Sequence, residues 1–447
     1  MLKVGIIGGG PAGIFTALKI SEFSAQVKVF EAGDYSNPRV GEHLVAEALH
    51  EFGRLGIPRE LLVQNSKACS QVLNSWGRTD LHENPSVFNP FGDGFILSRP
   101  DFDHALMEYA RSQGVDVQLN QRVVKAEKLS KGWRLYFANE SIELDFVVDA
   151  SGRNSKFKPT PEVGKELADQ LIGITSYSRV TDPEEHGECG LMVEPLADGW
   201  WYSVQLQSGT WVGTFMTDAA LLTGSDLSAG EFWQQRLMES YFTRKRFSAS
   251  SCDKPIIQSA HSRRLSQTYG ERWLSTGDAA ISFDPLSSAG IIKGFRLGIL
   301  AAETIRQWQQ TGEEALLDYD TEVQRQYREY LTYRKEYYAR ESRWPGHAFW
   351  YHRNMWPKEI QDFSIRPEDE LQVKQPVDEK ALELLGQRLP DIDFKALIEA
   401  IQENPKAAGA MEQYLKHKGL GKNMPPYLLH ALESLKKTRL IELQHGI

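Results

Sequence analysis

The clearest chemistry in this chain lies near its amino end. Gly8-Gly9-Gly10-Pro11-Ala12-Gly13 follows an apolar stretch, residues 3–7, and precedes a helical pattern, while Glu31 closes the next apolar stretch. A strand, a glycine turn and a helix in that order form a cradle for a diphosphate. Gly8 permits the tight turn, Gly10 lets the backbone approach a pyrophosphate, Ala12 sits in the same turn, and Gly13 allows helix and strand to pack closely. The helix start adds N–H groups free of intrahelical partners and a partial positive charge. Glu31 is placed to accept hydrogen bonds from an adenosine ribose. The spacing predicts a dinucleotide site and leaves NAD and FAD both open.

Such a site needs a βαβ frame, and the pattern supplies one: strands over 3–7 and 26–31 around a helix over 14–23. Residues 100–113 read as a helix with Phe102, Leu106 and Ala110 on one face, and 122–128, 133–137 and 142–148 read as short strands. The stretch 171–218 is strand-rich, with Trp200, Trp201, Tyr202, Trp211 and Phe215 in apolar runs, and reads as the main sheet of a second unit. Gly277-Asp-Ala-Ala280 then leads through Pro285 into a glycine-punctuated helix over 291–308, which returns the chain to the first unit. A long helical pattern over 313–343 ends before Pro345, and short helices separated by Pro and Gly are expected from about residue 358.

Two later segments, Phe146-Val-Val-Asp-Ala-Ser-Gly-Arg153 and Trp273-Leu-Ser-Thr-Gly-Asp-Ala-Ala280, resemble the second and third flavin-binding motifs of p-hydroxybenzoate-hydroxylase-like flavoproteins. The resemblance narrows at Asn37-Pro-Arg-Val-Gly-Glu-His-Leu44, which is similar to a segment lying against the flavin in flavin-dependent halogenases and their monooxygenase relatives. Ser75-Trp-Gly77, Gly199-Trp-Trp-Tyr-Ser203, Phe215-Met-Thr-Asp218 and Tyr337 to Trp344 with Phe349-Trp350 also look like this subgroup, the tryptophan-halogenase-like monooxygenases. The subgroup includes flavoproteins that hydroxylate tryptophan in precursors of tryptophylquinone enzymes. The likeness spans about residues 1–356 and fades beyond them.

The pattern and the resemblance together imply an α/β fold, mixed with α+β features, in which a Rossmann-like FAD-binding domain (1–165 and 255–312) is interleaved with a β-sheet substrate domain (166–254), and the helical pattern alone implies a C-terminal helical region (313–447). The resemblance assigns Gly8, Gly10, Ala12, Gly13, Glu31, Arg39, Arg99, Val123, Asp149, Asp278, Pro285 and Gly290 to the cofactor. The arginines suit a diphosphate through their planar fork. Asp278 would hold the ribityl chain. The implied reaction is hydroxylation of an electron-rich aromatic ring through a flavin C4a-hydroperoxide, with O₂ as cosubstrate and electrons from NADH, NADPH or a separate flavin reductase. The favoured acceptor is a tryptophan side chain in a partner polypeptide. Small-molecule indole or phenol hydroxylation, halogenation and a geranylgeranyl-reductase-like reaction are the alternatives.

Glu42, His43 and Pro285 are the catalytic candidates by motif position, with His261 a weaker one, and Trp200, Trp201 and Tyr202 are candidates for the substrate wall. Two departures argue against halogenation: a WxWxIP segment is absent, and the loop Phe283 to Gly290 has its final spacing displaced by one residue. Lys67 is the lysine nearest the region where a halogenase requires one, and it reads better as a surface lysine.

Composition bounds the rest. The chain has 447 residues, 41% hydrophobic and 25% charged, which suits a folded protein of two or three domains. A formal charge of −9 argues against a nucleic-acid footprint. Cys69, Cys189 and Cys252 are widely spaced and form no CxxC, so neither a disulfide framework nor a metal site is expected. No spanning segment or secretory signal is visible, which leads to an expectation of a cytoplasmic protein.

Overall fold

The computed structural model describes residues 1–157, 159, 163–179, 190–247, 251–355, 369–388, 393–418, 428, 431, 432, 435, 436, 438 and 440–443. Cys189 lies outside the described residues.

A six-stranded sheet forms the amino-terminal frame, in the order Tyr269–Gly270, Trp273–Ser275, Phe146–Asp149, Leu2–Ile7, Ala25–Phe30, Asp116–Gln118. All pairings are parallel except that between the first two strands. Val4, Ile6, Val29, Phe146 and Val148 are fully buried, as expected of parallel strands covered on both faces. One face packs under helices Pro11–Ser21 and Gly290–Thr311. The other packs under a three-stranded meander, Lys125–Leu129, Gly132–Tyr136 and Ser141–Leu144, through Ile7, Phe30, Leu135 and Trp273. The meander's first strand begins at Lys125 rather than Arg122.

Register places Ile7 beside both Asp149 and Phe30, with Asp149 beside Ser275. The carboxyl ends of four strands therefore share one edge, the side on which open α/β sheets bind ligands. Helix Gly290–Thr311 approaches helix Pro11–Ser21 so closely that a Cβ on Gly298 would lie 2.8 Å from the Ala12 carbonyl.

The second sheet has eight strands and contains Leu171–Arg179, Trp211–Asp218, Gly199–Gln205 and Leu191–Leu196 at its centre. Antiparallel register aligns Thr175, Thr214 and Tyr202 in one row. Alternation sends Trp201 to the opposite face, where Trp201, Phe215 and Ile174 pack under Phe232 and Trp233 of helix Ala229–Glu239. That helix starts with a capping box, Ser228 with Glu231, which pairs two otherwise unbonded N–H groups.

Helix Glu313–Ala339 inserts Tyr319, Tyr327, Tyr330 and Tyr338 into the body. Beyond it, helices Glu379–Arg388, Phe394–Glu403 and Ala407–His417 share their own apolar core with a two-stranded pairing of Leu371–Val373 and Ile441–Leu443. Short helices are what the Pro and Gly spacing predicts; the strand pair is not, because each strand has only three residues.

Candidate active site

A cavity of about 990 Å³ lies against the carboxyl edge of the parallel sheet and one face of the eight-stranded sheet. The glycine turn forms its floor. Gly8 has φ +105°, and a Cβ there would meet the Ala150 carbonyl oxygen at 2.5 Å. At Gly13 a Cβ would come within 2.0 Å of the Gly8 carbonyl oxygen. At Gly10 a Cβ would meet nothing within 4 Å, and Gly10 borders the cavity. Two glycines thus serve backbone packing and the third keeps space clear, which is the shape a diphosphate beside a helix start requires.

The acidic end of the second strand is braced rather than loose. Glu31 accepts from the Gly9 N–H (2.7 Å), the Gly33 N–H (3.1 Å) and Arg39 (3.2 Å). Arg39 also donates to Asp103 at 2.9 Å, and Arg99 donates to Asp103 at 3.2 Å and to the Val40 carbonyl at 2.7 Å. One buried carboxylate therefore sets both arginines at the cavity border.

On the opposite wall, Asp278 pairs with Arg153 at 3.0 Å and with the buried Lys293 ammonium, which also donates to the Ile281 carbonyl. Burial opposes its charge, but the two cations prevail and hold the carboxyl down at about 2. Burial pushes Lys293 below the ordinary lysine range. The adjoining loop is shaped by Asp284, whose Oδ1 accepts from the Leu286 N–H at 3.1 Å and whose own N–H donates to the Tyr330 hydroxyl at 2.8 Å. Arg334 lies between Asp284 (3.3 Å) and Asp169 (3.0 Å). Pro285, Ser288, Gly290 and Ile291 carry this loop along the cavity.

The remaining end is polar and incompletely paired. Glu42 is buried; its Oε2 accepts from the Tyr202 hydroxyl at 2.9 Å and the Gly41 N–H at 3.0 Å, while Oε1 has no partner. Burial pushes this carboxyl above the usual range. His43 Nδ1 is also buried without a partner, as is the hydroxyl of Tyr177, which lies near Glu42 but does not border the cavity. Burial lowers the imidazole to about 4, so His43 is neutral near pH 7.

The tryptophan halogenase family model matches residues 3–93. Over 358 residues the chain is 30% identical to the putative FAD-dependent oxidoreductase LodB of Marinomonas mediterranea, covering 78% of this chain and 96% of that protein. The chain belongs to the FAD-dependent oxidoreductases of the tryptophan-halogenase-like family. Two solved structures share the fold of this FAD-dependent enzyme. The myxobacterial chondrochloren halogenase CndH has a TM-score of 0.71 at 17% identity, covering 80% of this chain and 87% of that one. The peptidyl tryptophan dihydroxylase QhpG, essential for tryptophylquinone cofactor biogenesis, has a TM-score of 0.67 at 20% identity, covering 96% and 98%.

The residues expected for FAD in this flavoenzyme do not all reach the cavity. Gly8, Gly10, Ala12, Glu31, Arg39, Arg99, Val123, Asp278, Pro285 and Gly290 border it, as do Glu42, His43 and Tyr202. Gly13 stays behind the turn in a packing role. Asp149 does not border the cavity: it is buried, and its carboxylate accepts from the Ser151 N–H (3.0 Å) and the Ser155 hydroxyl (2.6 Å) and braces the following loop. Trp200 and Trp201 do not border the cavity either. Trp201 faces the far side of its sheet, 5.2 Å from Trp233 between ring centres. Trp200 is on the cavity side but packs beyond it, donating to the Tyr338 hydroxyl at 3.1 Å. His261 bonds Ser259, Lys67 donates to Gln205 at 2.9 Å, and neither borders the cavity.

The sequence reading missed Lys293, Asp284, Arg334 and Tyr177. Only Lys293 leaves a signal, as a lone lysine in the apolar helix start Ile291-Ile292-Lys293-Gly294-Phe295. Among the described residues there is no group of side chains suited to hold a metal ion and no helix long and apolar enough to cross a membrane.

Proposed function

We propose that this enzyme is a monooxygenase that hydroxylates the ring of a tryptophan side chain carried by a partner polypeptide. The observation that carries the reading is the extension of the flavin-side cavity onto the sheet face at Gly173, Thr175, Thr214 and Met216. A flat ring can lie there beside the Asp284–Gly290 loop. The likeness to a peptidyl tryptophan dihydroxylase over nearly the whole of both chains supports a polypeptide acceptor.

FAD, when bound and reduced, supplies the activation of O₂. The chain's own residues do the rest. Gly10 and the first turn of helix Pro11–Ser21 receive the diphosphate, and Arg39 and Arg99 add fixed positive charge. Helix Gly290–Thr311 points its positive end toward the cavity. Phe283, Ile291 and Met216 give the cavity apolar surface that limits water. An indole is already nucleophilic, so no strong base is needed, which suits a neutral His43. One dinucleotide fingerprint is visible, so the nicotinamide donor either visits the flavin directly or delivers its electrons through a separate reductase.

Halogenation is the second reading, favoured by the family model at residues 3–93. The missing WxWxIP segment and the position of Lys67 outside the cavity weigh against it.

The test supplies holoenzyme with NADH and O₂, with and without a flavin reductase, and with synthetic polypeptides containing one tryptophan. A mass gain of one oxygen per event, with free tryptophan a poor substrate, is the expected result. Oxidation of free indoles or phenols with no response to any polypeptide overturns the polypeptide acceptor, and a halide-dependent mass gain replaces hydroxylation by halogenation.

A further inference from the structure

The two edges of the eight-stranded sheet are finished differently. One is His82–Pro85, exposed throughout, whose sequence His-Glu-Asn-Pro carries the charge and the proline that deter a further strand. The other carries Ile256–Ser259, Ile-Ile-Gln-Ser, which has no charge and pairs with Leu171–Arg179 and with no other strand among the described residues. Ile256 is 41% exposed and Ile257 50%. Two exposed isoleucines on an unprotected edge mark a place where another strand can add.

Register shows what that edge offers. The Ala260 N–H donates to the Leu171 carbonyl, and the pairing continues with Gly173 opposite Gln258 and Thr175 opposite Ile256. Hydrogen-bonded pairs alternate along an antiparallel ladder. Ile256 and Gln258 therefore commit their backbone groups to the neighbouring strand, while Ile257 and Ser259 direct their N–H and C=O groups outward. Side chains alternate too: Ile256 and Gln258 lie on the face that carries Gly173, Thr175, Thr214 and Met216, the cavity face, and Ile257 lies on the other. Gln258, Ser259 and Ala260 border the cavity. Past His261 the edge closes, because Arg263 and Arg264 pair with Ser282 and Ile281, and Arg153 donates to both the His261 and the Phe283 carbonyls. The open edge thus runs from exposed surface to the cavity and stops where Ile281–Ser282 leads into the Asp284–Gly290 loop.

We propose that the partner polypeptide docks as an extended strand antiparallel to Ile256–Ser259, its backbone bonded to Ile257 and Ser259 and its tryptophan opposite Gln258 on the cavity face. The assignment rests on the reading of a polypeptide acceptor and names how that polypeptide is held. Main-chain bonds supply affinity for an extended segment, and the surface met by alternate side chains supplies choice. The tryptophan's two neighbours in sequence point to the opposite face, one of them beside Ile257, where an apolar residue is favoured. A free aromatic compound has no strand to offer and makes none of these contacts.

The experiment uses holoenzyme with oxidised FAD and an end-labelled synthetic peptide, Lys-Thr-Val-Trp-Val-Thr-Lys, with binding read by fluorescence anisotropy. Methyl groups on the two valine amides remove the N–H groups that would meet the edge, whereas methyl groups on the tryptophan amide and the following threonine amide fall on the open side. The first peptide is expected to bind about tenfold more weakly than the unmodified one, and the second within about twofold of it. Ile257→Pro removes an outward N–H and no bond to Leu171–Arg179; it is expected to weaken the unmodified peptide by about tenfold with FAD content and melting temperature near those of the wild type. No binding, or equal affinity of the three peptides for the wild type, which requires no variant to fold, overturns the proposal, as does undiminished binding by Ile257→Pro. So does a dimer in sedimentation that Ile257→Pro dissociates, since the edge would then hold a second copy of this chain. Binding is read without turnover. A peptide held in this pattern but never oxidised counts against the hydroxylation, and one oxidised without this pattern counts against the edge.

Discussion

The two ends of the cavity treat buried polar groups in opposite ways. At the nucleotide end, Glu31, Asp103, Arg39 and Arg99 bond one another and the backbone, and Asp278 is matched by Lys293 and Arg153. At the ring end, Glu42 Oε1, His43 Nδ1 and the Tyr177 hydroxyl have no partner. The first arrangement keeps its shape whether or not a ligand is bound. The second carries buried polar atoms that no described side chain or backbone group satisfies, so its shape rests on packing.

Glycine substitutions test the self-sufficient end most severely. Gly13→Ala drives a Cβ to 2.0 Å from the Gly8 carbonyl oxygen, so it should disrupt helix–strand packing and lose both FAD and several kcal/mol of stability, on the order of 3 or more. Gly10→Val meets no protein atom near its Cβ. It should keep a near-native melting temperature and still lose most of its FAD. Equal melting temperatures for the two variants would show that the turn is not divided between packing and cofactor.

The Asp278 wall comes next in size. Asp278→Ala leaves the Lys293 ammonium buried with only the Ile281 carbonyl and no carboxylate, a situation that typically costs about 3–5 kcal/mol. Removing both charges in Asp278→Ala with Lys293→Met should recover most of that loss. Asp149→Ala releases only hydrogen bonds to the Ser151 and Ser155 loop and should reduce stability by about 1–3 kcal/mol with less effect on FAD. Urea unfolding of the four proteins checks the order.

The same pair gives a smaller, pH-dependent effect. The Asp278 carboxyl is held at about 2, below its unfolded value near 4. A depressed acid contributes stability that is fully present above the unfolded value and lost as pH falls toward the folded one. Wild type should therefore exceed Asp278→Asn by about 2 kcal/mol more at pH 6 than at pH 2. A difference independent of pH across that range would mean that the ion pair does not form.

Why these two ends differ in legibility follows from their chemistry. The glycine turn and Glu31 are local: their place beside the cavity depends on neighbours in sequence and on the βαβ order, so spacing points to them, whereas Asp278 is reached through the resemblance of its segment to a flavin-binding motif. Asp149 is in the expected motif, yet its carboxylate turns toward Ser151 and Ser155, a rotamer choice that no spacing encodes. Trp200 and Trp201 stand off the cavity for another reason. Adjacent strand residues face opposite sides, so both could not belong to one wall, and register against Phe215 and Met216 decided where each went. Arg334 and Asp284 meet their partners across long sequence separations, and Tyr177 comes near Glu42 only through the fold, so none of the three is visible before folding. The Thr175–Thr214–Tyr202 row was readable as strand but not as a surface facing the flavin side.

Tyr202→Phe is the finest probe of the ring end because it removes one oxygen and leaves the ring. The lost O–H bond to Glu42 is worth about 1–2 kcal/mol, partly offset because a buried tyrosine hydroxyl is replaced by hydrogen. FAD should be unaffected, since the nucleotide end does not depend on this bond. Glu42 would then be held by the Gly41 N–H alone, and loss of a bond to its charged form would raise its carboxyl further. The loss should therefore appear in stability, as urea unfolding lower by about 1–2 kcal/mol with unchanged FAD content. Unfolding identical to that of the wild type would show that the Tyr202 hydroxyl contributes nothing to holding Glu42, and would break the contrast between this end and the self-paired one.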